Sequence, residues 1–501
     1  MSRNRTAIII AAIMLSLFMA SMEATVIATA MPTIVGQLGG LSIYSWVFSM
    51  YMLTSTTTVP LYGKLSDVYG RRPVYTVAMG LFLVGSVLCG LSQTMMQLVI
   101  FRAIQGIGAG GVMPMAFIII GDMFSFEERA KMQGWFSGVW GVSSIVGPLL
   151  GGFLVDSISW HWVFFVNVIP GAIAVTLFWF SWQERSREGE VRVQVDFLGA
   201  VLLTLSVIAL LMGLSELGTA LGSGLLVVAV LLIALLLWVE SRAADPVLPL
   251  SLLKDRLFAV ACAHGLFSGW SMFGSLSFVP LFVQTVLGTS ATEAGTTLTP
   301  MLLGWVAASI VGSRLLLRMS YRTLAILGMS LLTIGSFLLS RAGGGISQLF
   351  LMIDMTMMGV GMGLSIPAFM ISVQSSVPKR QLGTATSFLT FSRSIGGTLG
   401  VSVMGAFLAS RLAAGLMGAG LDPNAVSVDS LLDPLARASG NAVDGTLMGI
   451  VGNAIAGVFI IAFIAAVLGL IATALAPRGQ IGERTKQKTQ DDKFTPVESG
   501  F

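Results

Sequence analysis

Long apolar segments alternate with short polar connectors along nearly the whole chain. Most of these segments reach the ~20 residues that a helix needs to cross ~30 Å of hydrocarbon. Their length favours membrane-spanning helices over buried strands. We therefore predict an all-α integral membrane protein with about 14 spans, near residues 7–30, 46–62, 74–91, 98–120, 134–155, 163–182, 197–215, 225–239, 258–283, 294–317, 324–340, 349–371, 384–407 and 446–475.

The composition agrees with that pattern. Of the 501 residues, 55% are hydrophobic and only 10% are charged, and the mean hydropathy is +0.88, which excludes an ordinary soluble globular protein. Arg3 and Arg5 before the first apolar run also suit a cleaved signal peptide, but the run exceeds the usual ~7–15 apolar residues. We assign about 22 of the 28 Lys and Arg residues to the cytoplasm, because basic loops stay inside, and so expect both termini inside.

Those basic residues lie in separate short loops, where they face anionic cytoplasmic lipid, so the net charge of +4 needs no nucleic-acid partner. Short loops and the lack of an organellar presequence favour a multi-pass protein of a bacterial inner (plasma) membrane. Cys89 and Cys262 lie in apolar spans, so we expect free thiols. His161 and His264 have no companion ligands or triad partners, so we expect neither a metal, a cofactor nor an enzyme.

The chain contains an internal repeat. Gly106 and Pro114 in the fourth span are spaced like Gly359 and Pro367 in the twelfth, and such repeats are typical of transporters. The copies are farther apart than six spans require, so the pair of spans within residues 197–239 is predicted to be an insertion. We expect four parts: a six-helix bundle (1–182), a linker with two extra helices (183–256), a second six-helix bundle (257–476) with an external loop near 409–445, and a disordered cytoplasmic tail (477–501).

Several ionisable residues lie inside predicted spans, where a charge costs roughly 3 kcal/mol. Glu23 and Arg102 lie at similar depths, given a rise of 1.5 Å per residue, so they can pair if their faces converge. Burial favours the neutral carboxyl and a nearby guanidinium favours the charged one, so Glu23 suits proton coupling, with a static ion pair as the alternative. Asp354 is a second candidate for protonation or cation binding, or a structural hydrogen-bonding group. Arg393 either holds the second bundle together or faces a cavity.

Methionine-rich and aromatic positions predict an adaptable apolar cavity, although packing or lipid contact explains any one of them equally simply. The candidate cavity residues are Glu23, Tyr51, Trp270, Phe273, Asp354, Met358 and Phe391.

Four segments carry a family resemblance. Residues 63–73, a Gly-rich loop with Asp67 and Arg71 one turn apart, resemble the signature loop of the major facilitator superfamily. Residues 102–106 resemble its buried-arginine motif, and residues 147–152 resemble the element of its proton-driven exporters. With about 14 spans and the aromatic segment 159–167, the chain is similar to the fourteen-helix drug:proton antiporter family. Glu23 replaces that family's usual Asp, and the second copy of the loop, residues 312–322, lacks the acid.

The resemblance implies the major facilitator fold and a proton-coupled antiporter that exports amphipathic, cationic hydrophobic drugs by alternating access. Its expected partners are such substrates, protons and membrane lipids, in a monomer. A lipid or natural-product exporter and a non-transporting membrane sensor are the alternatives, and the exporter element disfavours an uptake symporter. Depth and charge, not the resemblance, make Glu23, Arg102 and Asp354 the candidates for proton coupling. The resemblance assigns the exporter element to Gly147, Pro148, Gly151 and Gly152 and a conformational latch to Gly63, Asp67, Gly70, Arg71, Arg72 and Asp122, although Asp122 is equally an ordinary helix-end charge.

Overall fold

A computed structural model describes residues 3–38, 44–184, 196–216, 219–243, 248, 250–287, 291–343, 346–378, 381–420 and 445–478. Most of the predicted external loop, the end of the predicted tail and most of the connector 183–195 lie outside these residues. The described part forms 15 α-helices and one 3₁₀ turn, Leu252–Lys254. The helices are α1 Arg3–Leu38, α2 Tyr44–Tyr69, α3 Arg71–Gly90, α4 Met95–Met123, α5 Phe126–Ser157, α6 Trp162–Phe165, α7 Val168–Ser181, α8 Phe197–Ser215, α9 Ala220–Glu240, α10 Arg256–Val286, α11 Ala291–Leu315, α12 Tyr321–Ser340, α13 Gln348–Ser376, α14 Leu382–Gly418 and α15 Gly445–Ala474.

Each predicted span falls on one of these helices, and the sixth falls on the pair α6 and α7. Among the described residues, 11 helices are long and apolar enough to cross a membrane. The predicted spans in α2, α5 and α8 do not meet that measure. In α2 the run from Thr54 to Thr58 lowers the hydropathy, and hydroxyls there bond to carbonyls of their own helix, as Thr57 Oγ1 does to Leu53 O (3.0 Å). A count of fourteen spans and the orientation of the termini remain predictions.

The helices divide between two compact units. The first unit comprises Met1–Met123, Trp135–Leu252 and Lys379–Ile395, and the second comprises Phe124–Gly134, Leu253–Pro378 and Gly396–Phe501. In the first unit α4 packs against α2 and α3, α1 packs against α7, and α8 packs against α9. In the second unit α13 packs against α11 and α12, and α10 packs against α15. The fourth and twelfth predicted spans therefore have equivalent neighbours.

Glycines at the repeated positions allow this packing. A Cβ at Gly106 would lie 2.6 Å from the Tyr51 carbonyl oxygen on α2, and a Cβ at Gly359 would lie closer still to the Met301 carbonyl oxygen on α11. Both distances are too short for a side chain, so a glycine lets the two backbones approach closely. The repeat predicted from spacing thus corresponds to a repeated helix contact.

Local sequence determines where several helices begin. The Ser125 N–H donates to Glu128 Oε2 (2.9 Å) at the start of α5, the reciprocal half of a capping box. That backbone hydrogen bond lowers the pKa of the Glu128 carboxyl. At α10 and α12 the N-cap side chain is the acceptor instead: Asp255 accepts from Phe258 N (3.0 Å) and Ser320 from Thr323 N (3.1 Å). These caps satisfy N–H groups that an α-helix leaves without partners in its first turn.

The sixth predicted span is interrupted between α6 and α7. Pro170 follows closely, and a proline has no N–H to donate to the carbonyl four residues earlier, which here belongs to Val166. The interruption therefore has a covalent cause. It matters for function because it includes Asn167, whose side chain is fully buried.

Candidate functional site

Glu23 lies at the centre of a buried polar cluster in the first unit. Its Oε1 accepts from Arg102 Nη1 (2.7 Å) and from Gln105 Nε2 (2.9 Å). Its Oε2 accepts from Asn167 Nδ2 (2.6 Å). Glu23 is 1% exposed and Arg102 2% exposed. Helices α1 and α4, together with the break before α7, thus place a carboxylate and a guanidinium in direct contact, as their similar depths predict.

Arg102 has further partners that hold its guanidinium in place. Its Nε donates to the Val47 carbonyl oxygen (3.3 Å), and its Nη1 also donates to Gln105 Oε1 (2.7 Å). Its Cζ lies 4.0 Å from the centre of the Tyr51 ring, within the range of a cation–π contact. Tyr51, predicted as a cavity residue, is in this structure a neighbour of the ion pair.

Two residues of the cluster had no predicted role. Gln105 joins Glu23 to Ser86, since its Nε2 also donates to Ser86 Oγ (2.8 Å), and Asn167 supplies the donor on the other oxygen of Glu23. Both belong to segments that carry the family resemblance, so their membership in those motifs was the available signal. The Oδ1 of Asn167 is buried and has no hydrogen-bond partner, so a rotated amide would offer an acceptor to Glu23.

Asp354 has very different surroundings in the second unit. It is fully buried on α13, and neither carboxyl oxygen has a hydrogen-bond partner. A Cβ at Gly335 on α12 would lie 3.2 Å from Asp354 Oδ1, and the neighbouring Met355 and Met358 are fully buried. In the repeat register Met355 corresponds to Arg102 and Met358 to Gln105. Asp354 is therefore a lone acid in an apolar setting.

A second charged cluster contains the predicted latch residues. Arg71 Nη1 lies 2.7 Å from Asp67 Oδ1, and Arg71 Nε lies 2.6 Å from Asp122 Oδ2. Asp67 also accepts from the backbone N–H groups of Gly383 (3.1 Å) and Thr384 (2.8 Å) at the start of α14. An aspartate at a helix N-terminus satisfies otherwise unpaired N–H groups and complements the helix dipole. Asp67 thus joins the last turns of α2 to α14. The predicted loop at residues 63–73 is helical except at Gly70, because α2 continues to Tyr69 and α3 begins at Arg71.

The remaining latch residues lie on both sides of the junction between α2 and α3. Gly63 packs so closely on α14 that a Cβ would lie 2.8 Å from the Gly383 carbonyl oxygen. Gly70 has φ of 94°, a conformation that side chains disfavour. Arg72 Cζ lies 3.9 Å from the centre of the Trp179 ring. The sequence did not predict Glu184, whose carboxylate accepts from the backbone N–H groups of Arg71 (2.7 Å) and Arg72 (3.2 Å) at the start of α3.

The other candidate residues lie in several places. Trp270 and Phe273 on α10 approach α14, where Cβ atoms at Gly400 and Gly397 would lie 2.7 and 2.6 Å from them. The Trp270 Nε1 is buried without a hydrogen-bond partner. Phe391 packs on Phe388 with 5.8 Å between ring centres. A common cavity for these residues remains a prediction.

The exporter element lies within α5, where Gly147 and Gly151 are buried. The surroundings of Pro148 and Gly152 are outside the described part of the chain. Cys89 and Cys262 are both buried, and neither forms a disulfide within the described part of the chain. Over the residues that the structure describes, no group of three or more His, Cys, Asp or Glu side chains is arranged to hold a metal ion.

Comparison with known proteins supplies the family. The family model described as Major Facilitator Superfamily matches residues 13–401. The chain is 39% identical over 415 residues to "Multidrug transporter protein MdtP" of Bacillus subtilis (strain 168), covering 82% of this chain and 76% of that protein. It is 40% identical over 408 residues to "Multidrug resistance protein 3" of the same strain, covering 80% and 79%. The crystal structure of the human organic anion transporter MFSD10 (TETRAN) superposes with a TM-score of 0.62 at 16% identity, covering 93% and 100%, a likeness of fold alone.

Proposed function

The chain belongs to the Major Facilitator Superfamily, and on that premise we propose that it is a proton-coupled antiporter that exports amphipathic, cationic hydrophobic drugs from the cytoplasm. It is a multi-pass membrane protein of a transporter family and not an enzyme. The observation that carries the proposal is the buried Glu23–Arg102 pair. The chain's two multidrug relatives support the proposal that its substrates are drugs.

Glu23 is the proposed proton carrier. As a carboxylate it accepts three donors, from Arg102, Gln105 and Asn167. Binding a proton removes the charge that holds the guanidinium, so the cluster has two states with different interactions. A ligand or proton shifts a conformational equilibrium only through such a difference. A proton entering from outside neutralises Glu23 and releases the cargo outward, and then leaves to the cytoplasm after reorientation.

The energetics suit modest export. One proton moving through 100 mV releases about 2.3 kcal/mol. At about 1.4 kcal/mol for each factor of ten, that energy sustains roughly a fiftyfold gradient of a neutral compound. A monovalent cationic drug that is exchanged for one proton moves no net charge, so its export is driven by the pH difference alone, at about a tenfold gradient for each pH unit.

Asp354 is the proposed second protonation site. Neither of its oxygens has a donor, and an ionised carboxylate without donors is far more costly to bury than a neutral one. Asp354 therefore carries a proton in this conformation. It loses that proton only when water or a cationic substrate reaches it.

The latch is proposed to stabilise one conformation. Asp67 contacts both Arg71 and the first residues of α14, so movement of α14 away from the end of α2 breaks the three hydrogen bonds that Gly383 N, Thr384 N and Thr384 Oγ1 donate to this carboxylate. We place this transporter in a plasma membrane with 14 spans in two six-helix bundles, an inserted helix pair and both termini inside. Alternating access then arises from rocking of the bundles.

The test is substrate-driven proton release in proteoliposomes. Glu23→Gln keeps the size of the side chain but cannot carry a proton, so we expect no release on adding a cationic dye. Glu216→Gln, which changes an exposed acid at the end of α8, is the matched control and should behave as wild type. Undiminished proton release by Glu23→Gln would show that the coupling assignment is wrong.

A further inference from the structure

Arg393 lies deep within α14. It is eleven residues beyond Leu382, the first residue of that helix, which is roughly 16 Å at 1.5 Å per residue. The whole helix is a candidate membrane span. An arginine near a helix end can extend its charge to the membrane surface, but one so far along cannot readily do so.

The face of α14 that carries Arg393 is an interior face. In a helix the residues three and four positions away share a face, and here these are Leu389, Thr390, Gly396 and Gly397. All four are buried, with Leu389 6% and Thr390 2% exposed. Arg393 itself is partly exposed. Since its neighbours along the face are covered, this face of α14 packs against protein rather than facing lipid.

Arg393 also differs in its partners from Arg71 and Arg102, the buried arginines described above. Arg102 pairs with Glu23, and Arg71 pairs with Asp67, each at 2.7 Å. No carboxylate of the described residues pairs with Arg393. A guanidinium cannot discharge itself by losing a proton, and an unpaired charge inside a membrane span is costly even when it is partly exposed. Such a residue inside a membrane span indicates a functional site.

We infer that Arg393 binds the acidic group, a carboxylate or sulfonate, of an amphipathic substrate. The inference deepens the proposed export function and depends on it. A guanidinium binds planar anions through two parallel hydrogen bonds. Glu23 already accepts donors on both oxygens and so offers little to a cationic substrate in this state. Recognition of an acidic group on the substrate therefore depends on Arg393, and zwitterionic compounds are included among the substrates.

A matched pair of dyes tests this directly. Rhodamine 110 has a free carboxyl group, and rhodamine 123 is its methyl ester, so the two differ in one negative charge. Fluorescence polarisation with the purified full-length protein measures the Kd of each dye. Losing a hydrogen-bonded charge pair weakens binding by about tenfold to a hundredfold. We expect that loss for rhodamine 110 with Arg393→Gln, while rhodamine 123 changes less than about twofold.

Two further variants make the result specific. Arg393→Lys keeps the charge and should retain part of the affinity for the acid, which also covers the case that Arg393→Gln does not fold. Arg411→Gln changes an exposed arginine of the same helix and should leave both dyes unaffected. If Arg393→Gln weakened the binding of both dyes equally, Arg393 would have a structural role only and the inference would be wrong. The inference would also be wrong if wild type bound rhodamine 110 no more tightly than Arg393→Gln does.

Two comparisons separate the possible sources of failure. If anionic phosphatidylglycerol in place of phosphatidylcholine abolishes rhodamine 110 binding to wild type in nanodiscs but does not weaken the residual binding to Arg393→Gln, the anionic lipid occupies the guanidinium and the substrate assignment is wrong. If energised vesicles export neither dye although both bind, the proposed export function fails. The Kd comparison at Arg393 then still decides whether the acid group is recognised.

Discussion

The Glu23–Arg102 pair makes an asymmetric prediction about stability. Glu23→Gln leaves a guanidinium that is 2% exposed without a counter-charge, and removing one partner of a buried ion pair costs about 3–5 kcal/mol. We expect the cost to lie near the lower end of that range. The Arg102 guanidinium keeps its contacts to Val47, Gln105 and Tyr51, and the Asn167 amide can rotate to suit the new side chain. Arg102→Met leaves a carboxyl that can discharge itself by binding a proton, which a guanidinium cannot do. It should therefore cost less, about 1–3 kcal/mol.

The double variant Glu23→Gln/Arg102→Met removes both charges and should recover most of the loss, because an apolar replacement of a whole buried pair is close to neutral. Thermal unfolding in detergent, followed by tryptophan fluorescence, gives the four midpoints. We expect Glu23→Gln to have the lowest midpoint, Arg102→Met an intermediate one, and the double variant one near wild type. A double variant whose loss equals the sum of the two single losses would show that the pair is not coupled, and the reasoning would be wrong.

Three further predictions concern packing and single polar groups. Gly359→Ala should destabilise the protein by about 1–3 kcal/mol in thermal unfolding, because its Cβ would meet the Met301 carbonyl. Gly80→Ala is the control and should be neutral or stabilising, because its Cβ would meet nothing within 4 Å. Equal effects of the two substitutions would refute the close contact. Asp354→Leu should raise the midpoint of thermal unfolding, because it removes a buried carboxyl without partners. The same substitution should reduce dye export. A lowered midpoint would contradict the absence of a partner for Asp354. Glu184→Ala should cost about 0.5–2 kcal/mol and speed hydrogen exchange of the Arg71 and Arg72 amides that Glu184 caps, and unchanged exchange would contradict the cap.

The hydropathy pattern located the helices because the membrane imposes a local rule. Backbone groups in hydrocarbon must be satisfied within their own segment, so an apolar run of sufficient length becomes a helix whatever its neighbours are. The all-helical architecture is confirmed by the fold of solved relatives. The interruption at Asn167 was not predicted, although Pro170 was available in the sequence as its cause.

The sequence by itself determined which residue types are buried in the membrane and how deep they lie, since depth follows from position at 1.5 Å per residue. That was sufficient to predict that Glu23 and Arg102 can meet. Only the tertiary structure decided which faces converge. It brought Gln105 and Asn167 to Glu23, Glu184 to the start of α3, and Asp67 to the start of α14. The sequence pattern could not predict these contacts, because the rotation of a helix about its axis is determined by packing against other helices, and hydropathy along one segment does not encode that packing.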